Sequence, residues 1–515
     1  MKSQPTLFCF AALFIGACFV VGCNSKKHDA NTSTNQDTLR YSVQISAENK
    51  RLAKVSASFR LREPLIMMFT NGTPELPDGQ AKFVQDLAVT DENGKPITVK
   101  YKGDGDWNVD AGTGDLVRVT YSIRLDHDKY EWAGGPDEAA YATDDGVYYA
   151  GGSLFIVPGN KVENAVIDFA VPDAWRVSTP WQKMSGGKSN QFFAKQVGRD
   201  MLRNCVLLGT HTEERITVGE FELRLAVGQN MSYAKQLLVD AATPPVASYL
   251  QMFGAAPRAT SYLVVVNKGS MNDGEAFSGS FSILTKDSIT KENNAVWAHG
   301  LAHELFHLWN GISIVPEKQE EWFKEGCTDY MTIVWLRRLG LIDEAVLFKK
   351  LENISRKYLL AGLLHRIMNQ NAEKPVPVPS LQQAGENKGA NRLLIYGGGA
   401  LAAFMLDVQM REATGGAKGL DELLQAMHRE FGTNSKNYTM NDIARIASGI
   451  AGKDCTPFFK NYIEGTQALS IEPTLGTLGL QMASFVEEMY ISRKPVQTER
   501  EKLLFDSIFL RPLAQ

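Results

Sequence analysis

A multidomain α+β protein is what this 515-residue sequence predicts, on three observations. From Tyr41 to about Thr217, runs such as SVQIS, KVSASFRL, LVRVTYSIRL and NAVIDFAV alternate apolar and polar residues, and turn clusters such as DENGKP, GDGD and TDDG interrupt them. Near Ser232 the apolar spacing changes to the helical period, and beyond Asp343 nearly every segment keeps it. Period-two alternation broken every ten or so residues predicts an N-terminal antiparallel β-sandwich over 41–230. A mixed domain over 231–342 follows, then a C-terminal α-helical bundle over 343–480 and a tail over 481–515 without a clear pattern.

Ahead of these, residues 1–22 place Lys2 before an apolar run and small residues, the pattern of a secretory signal. Val20-Val21-Gly22-Cys23 resembles the lipobox of bacterial lipoproteins, which implies a lipidated Cys23 as mature N-terminus and a membrane anchor in the bacterial cell envelope. Asn24 is not the aspartate that retains many such proteins at the inner membrane, so the outer membrane is expected. Residues 23–40 are polar and aperiodic, as a flexible tether would be. Three further cysteines, Cys205, Cys327 and Cys455, are too widely spaced for a disulfide scaffold. With 54 Lys plus Arg against 58 Asp plus Glu, the charge of −4 offers nucleic acid no global attraction.

In the mixed domain, SYAKQLLVDAATPPVASYLQMFG has helical spacing, TSYLVVVNKG is a buried strand, and AFSGSFSILT alternates like an edge strand. NNAVWAHGLAHELFHLWNG then predicts a helix ended by Gly311, with a second helix from Trp322 to Leu339. On the first helix, His303 and His307 are four apart and so project from one face one turn apart, able to grip one ion. Glu304 is about 100° round from His303, placed to act on a water rather than to bind the metal. A catalytic zinc takes a third protein ligand and keeps a position open, and Glu325 on the second helix supplies it. Asp329, one turn later, is placed to fix the orientation of His303, and Asn310 could do the same for His307. His299 lies on the same stripe but lacks a glutamate at the base position, so it is read as a rim or core residue. Cys327 is read as a small buried hydrophobe.

HELFHLWN followed by EWFKEGCTDY resembles the glycyl aminopeptidase family of metallopeptidases, a gluzincin branch related to thermolysin and aminopeptidase N. YYAGGSLFIVPG, PDAWRVSTPW, IYGGGALAAFMLDVQMREATGG and TPFFKNYIEGTQALSIEPTL extend the resemblance over about residues 41–480. It implies a thermolysin-like catalytic domain, Zn2+ held by His303, His307 and Glu325, Glu304 as general base, and Asp329 orienting the first histidine. It also implies that Tyr396 donates to the tetrahedral intermediate, and that peptides are cleaved from the N-terminus. Where relatives carry a Gly-Leu-Glu-His-like edge strand this chain has Asp273-Gly274-Glu275-Ala276-Phe277, so Glu275 is either a binder of the substrate amine or a solvated loop residue. The usual C-terminal PDZ domain has no room after about residue 480. The rival reading is a noncatalytic surface lipoprotein that binds peptide or glycan and uses zinc only to staple two helices.

Overall fold

A computed structural model describes residues 38–511, except for positions 74, 133–134, 160–163, 187–189, 319, 371–376, 435 and 486–487. The proposed signal and Cys23 lie outside the described residues, as does nearly all of the tether. No helix among the described residues is long and apolar enough to cross a membrane.

The first part of the chain is β-rich. Its largest sheet has eight strands, in the order Gln182–Lys183, Gln191–Lys195, Asn164–Ala170, Leu39–Gln44, Leu52–Arg60, Leu116–Arg124, Val84–Asp91, Pro96–Ile97. Two four-stranded sheets accompany it and share its core: Tyr41, Val55, Val119 and Ile167 meet Ile66, Trp107 and Ile156 of one and Val147, Val206 and Leu208 of the other. The alternation in the sequence is the alternation of burial, as in Leu39–Gln44, where every second residue is inside. The expected all-antiparallel arrangement fails at one place: Leu39–Gln44 pairs parallel with Asn164–Ala170, over 120 residues away. Parallel pairing needs no short turn, so nothing local in the sequence marks it.

The strands Thr212–Val218 and Phe221–Val227, read above as part of the β domain, instead join the next sheet. Its order is Thr212–Val218, Phe221–Val227, Ser261–Lys268, Ser280–Thr285, Asp273–Ala276. Phe221–Val227, Ser261–Lys268 and Ser280–Thr285 run parallel, and helix Lys235–Phe253 makes the first crossover. Six consecutive residues of the central strand, Tyr262–Asn267, are buried because both faces are covered. Residues 280–285 are therefore internal, and the antiparallel edge is Asp273–Ala276. The two β regions join through a seam of Tyr141, Tyr148, Cys205 and Leu207 against Ala226, Leu263, Val265 and Leu284.

Helices dominate beyond residue 343, chiefly Glu344–Gln370, Gly399–Ala413, Leu420–Met427 and Met440–Ala451. A buried charge network ties them to helix Thr328–Arg338: Arg338 and Arg411 both hold Asp421, and Tyr330 donates to Asp407. Burial pushes the Asp421 carboxyl up, but Arg338, with Arg411 and Arg511, outweighs it and holds it below the usual carboxylate range. The tail that showed no pattern is structured. Leu480–Phe485 and Glu488–Arg493 form a hairpin, and Glu499–Phe509 is a helix whose Thr498–Glu501 capping box fixes its start.

Candidate metal centre

Helix Asn294–Phe306 carries His303, and His307 follows in its last turn. Gly311, at a φ of 142°, then reverses the chain, a backbone that L side chains adopt only with strain. Asn310 locks the return, its amide donating to the Phe323 carbonyl at 2.9 Å and to Thr328 Oγ1 at 3.1 Å. The second helix is not uniformly α. Trp322–Cys327 is a π-helical turn and Thr328–Arg338 is α. Leu394–Gly398 is a second π turn, leading into Gly399–Ala413. The two wide turns carry Glu325 and Tyr396, and they cross at glycines: a Cβ on Gly326 would sit 2.5 Å from the Gly399 backbone.

This crossing delivers Glu325 to the histidines. His307 Nε2 lies 3.1 Å from His303 Nε2 and 3.2 Å from Glu325 Oε2, and His303 Nε2 is 3.5 Å from the same oxygen. Zinc bonds of about 2.0–2.1 Å at tetrahedral angles place donor atoms about 3.3–3.4 Å apart. The triangle therefore has the size and the donor types of a zinc site. Glu304 stands beside it, with a carboxylate oxygen within 4.8 Å of ring nitrogens of both histidines.

The far side of each donor is also held. His307 Nδ1 lies 2.9 Å from the Asn310 carbonyl oxygen, so the backbone, and not the Asn310 side chain, orients this ring and leaves Nε2 for a metal. Asp329 is 3.6 Å from His303 Nδ1, beyond hydrogen-bond range, and makes its short contact, 2.7 Å, with His299 Nε2. His299 thus enters the site through Asp329. Tyr396 Oη donates to Glu325 Oε2 at 2.8 Å, and the ring is 6.1 Å from that of His303. Lys388 donates to Glu325 Oε1 at 2.7 Å, with Lys324 3.4 Å from the same oxygen. Burial pushes the Glu325 carboxyl up, but His307 and His303, with Lys324, outweigh it and hold it well below the usual range. Cys327 is fully buried, and burial pushes its thiol up, far from a thiolate.

Sequence profiles now place the chain. The profile of the Peptidase M61 N-terminal domain matches residues 40–199, and that of M61 glycyl aminopeptidase matches residues 297–402. The chain belongs to the M61 glycyl aminopeptidase family. It is accordingly a zinc metallopeptidase. No curated protein sequence matches it. Solved structures similar to this M61 chain include an aminopeptidase N family protein from Idiomarina loihiensis, 20% identical over 87% of this chain and 79% of that one, with a TM-score of 0.68. The M1 zinc metallopeptidase from Deinococcus radiodurans is 12% identical over 84% of this chain and 94% of its own, with a TM-score of 0.52. A variant of that enzyme bound to a Tyr-Ser-Ala substrate gives 12%, 84%, 94% and 0.53. At these identities the structural likeness speaks for the fold.

The M61 chain places Glu275 on the edge strand Asp273–Ala276, half-buried rather than in a solvated loop. Burial first, then Glu138, Asp273, Asp137 and Glu304, push its carboxyl up to about 7. Glu138 and Asp137 come from the β domain, on the short turn Pro136–Glu138, where Asp137 N donates to Asp273 Oδ2 at 3.4 Å. Glu138, Lys388, Lys324 and His299's link to Asp329 escape the sequence reading. Lys388 is 63 residues from Glu325, and no spacing rule connects them.

One pH dependence follows from the cradle. Burial lowers the His303 imidazole, but the facing carboxylates of Asp329 and Glu325, with Glu304, outweigh it and raise it to about 10. The ring must lose its proton to bind metal, so zinc affinity is expected to rise with pH below about 10. Titration calorimetry in buffers of different ionisation enthalpy should register about one proton released per zinc between about pH 6 and 8; proton-neutral uptake there would contradict this.

Proposed function

We propose that the protein is a zinc-dependent aminopeptidase that hydrolyses peptide bonds with a metal-activated water. The observation that carries this reading is the triangle of His303, His307 and Glu325 with Glu304 beside it. Three protein ligands suit a catalytic zinc, whereas a structural one closes with a fourth.

Bound there, zinc supplies Lewis acidity, polarising the scissile carbonyl and lowering the pKa of an adjacent water towards about 7. Glu304 takes the water's proton and delivers it to the leaving amine. Burial and Glu325 keep the Tyr396 hydroxyl protonated, and a swing from Glu325 Oε2 lets it donate to the substrate oxyanion, worth about 2.7–4 kcal/mol in comparable sites. Lys388 and Lys324 occupy Glu325 Oε1 and leave Oε2 turned to the histidines. Glu275, with Glu138 nearby, receives the substrate's N-terminal ammonium, whose arrival favours the ionised carboxylate that burial otherwise opposes.

Matched peptides with free and acetylated N-termini test this reading. Release of single residues from the free peptide alone is the expected result, with Glu275→Gln raising KM more than it lowers kcat. Internal cleavage of both peptides would make the enzyme an endopeptidase, and no cleavage by zinc-loaded protein would remove the peptidase reading.

The β domain is read as a sandwich, the helices after residue 343 as a bundle closing over the catalytic sheet, and Cys23 as a lipid anchor to the bacterial envelope, with the outer membrane favoured. Fatty-acid label incorporated by the full chain and lost in Cys23→Ala is the expected outcome; label retained in the variant would refute the anchor.

A further inference from the structure

Helix Glu344–Gln370 has an anomalous second half. Its core face is filled by Leu347, Leu351, Ile354 and Ala361, yet Leu359, Leu360, Leu363, Leu364, Ile367 and Met368 are exposed. A solvated helix face normally carries polar residues, and a contiguous apolar one marks a contact surface. Its place relative to the metal centre identifies the contact. Lys357 Nζ is 3.6 Å from Asp329 Oδ2, and a Cβ on Gly397, next to Tyr396, would lie 2.6 Å from Lys357 Cβ. Two turns on, His365 Nε2 is 3.4 Å from Asn391 Oδ1, on the segment that bears Lys388 and Tyr396. The helix thus borders the catalytic segment from Lys357 to His365.

At 100° per residue, Leu360, Leu364 and Met368 follow Lys357 at steps of three, four and four, so they continue along the helix the row that faces Asp329. They are 45%, 42% and 73% exposed. The row advances about 1.5 Å per residue, from about 4 to about 16 Å beyond Lys357, the length of about four residues of extended peptide.

We propose that Leu360, Leu364 and Met368 form an apolar wall of the substrate cleft, which selects peptides with apolar side chains after the scissile bond. This rests on the aminopeptidase reading. With the substrate ammonium at Glu275, one residue precedes the scissile bond, and everything the wall touches follows it. The substrate class is therefore the free N-terminal end of an apolar-rich, unfolded polypeptide segment.

The test is binding to the zinc-loaded, full-length Glu304→Gln protein, so that affinity is read apart from turnover. Two fluorescein-tagged peptides with free N-termini carry leucine or serine from the second to the sixth residue. Leucine should tighten binding by about ten-fold, and Leu360→Ser/Leu364→Ser/Met368→Ser should bring the leucine peptide down to the serine one at unchanged zinc content and circular dichroism. An undiminished leucine preference in the triple variant overturns the proposal. So does a wild-type dimer, or adhesion to phosphatidylglycerol vesicles, that the triple variant abolishes while the preference survives. Wild-type protein that cleaves the serine peptide but shows no leucine preference removes this proposal alone. Protein that neither cleaves nor binds either peptide removes the aminopeptidase reading, and the proposal with it.

Discussion

Glu304→Gln is expected to lower kcat by about a thousand-fold while the protein keeps about one zinc per chain and its melting temperature. Glutamine keeps the shape of the side chain and removes its ability to accept a proton, and proton transfer by a placed side chain contributes about 10²–10⁴ in rate. Glu304 is near both histidines but outside the donor triangle, so metal content should not follow activity down. Metal analysis beside a peptide-release assay decides the matter. Unchanged turnover, or a wild type without turnover, would favour the noncatalytic surface lipoprotein with a structural zinc. Loss of zinc together with activity would place Glu304 among the ligands.

Glu325→Ala should have the second largest effect, on both metal and fold. Its carboxylate is buried and faces two imidazoles through one oxygen and two lysines through the other. Without it, His303, Lys324 and Lys388 lose the carboxylate they converge on, while Glu321 stays 3.4 Å from Lys388 and Asp329 3.6 Å from His303. Breaking a buried charge set by removing one partner costs about 3–5 kcal/mol, since the remaining charges stay desolvated. Lys388 is partly exposed, which favours the lower end of that range. Denaturant unfolding of the metal-free protein should show a loss of about 3 kcal/mol, and zinc stoichiometry should fall towards zero. A variant that still binds one zinc with wild-type affinity would remove Glu325 from the ligand set.

The parts of this molecule legible in its sequence are those governed by short-range periodicity. His303 and His307 share a face because the helix repeats every 3.6 residues, and the strand alternation over Leu39–Gln44 or Leu52–Arg60 appears directly as burial. Spacing also brought Glu325 within reach of the pair. What spacing could not reveal is long-range. The parallel pairing of residues 39–44 with 164–170, the grip of Lys388 on Glu325, and the approach of Glu138 to the edge strand depend on the chain path and on nothing local. The tail escaped because its hairpin and helix are stabilised by partners far away, with Ile491 N donating to Glu352, Arg493 gripping Glu344, and Arg338 donating to the Ile508 carbonyl. Asp329 shows the limit even of a correct offset. It lies at the right height on its helix, yet its shortest contact goes to His299, because which imidazole it meets is set by the angle between two helices.

The π turns carry a consequence for chain length. A helix that accommodates one surplus residue in a single loop holds that residue at a cost in hydrogen-bond geometry. Trimming the surplus would let the backbone regularise and would swing the side chains on one side of the cut by about 100° relative to those on the other. Glu325 and Tyr396 each stand in such a loop, so their bearing is written in the count of residues as much as in their identity. Insertions and deletions, which most helices merely resist, are here the changes that would redirect Glu325 or Tyr396 while sparing every neighbouring side chain its name.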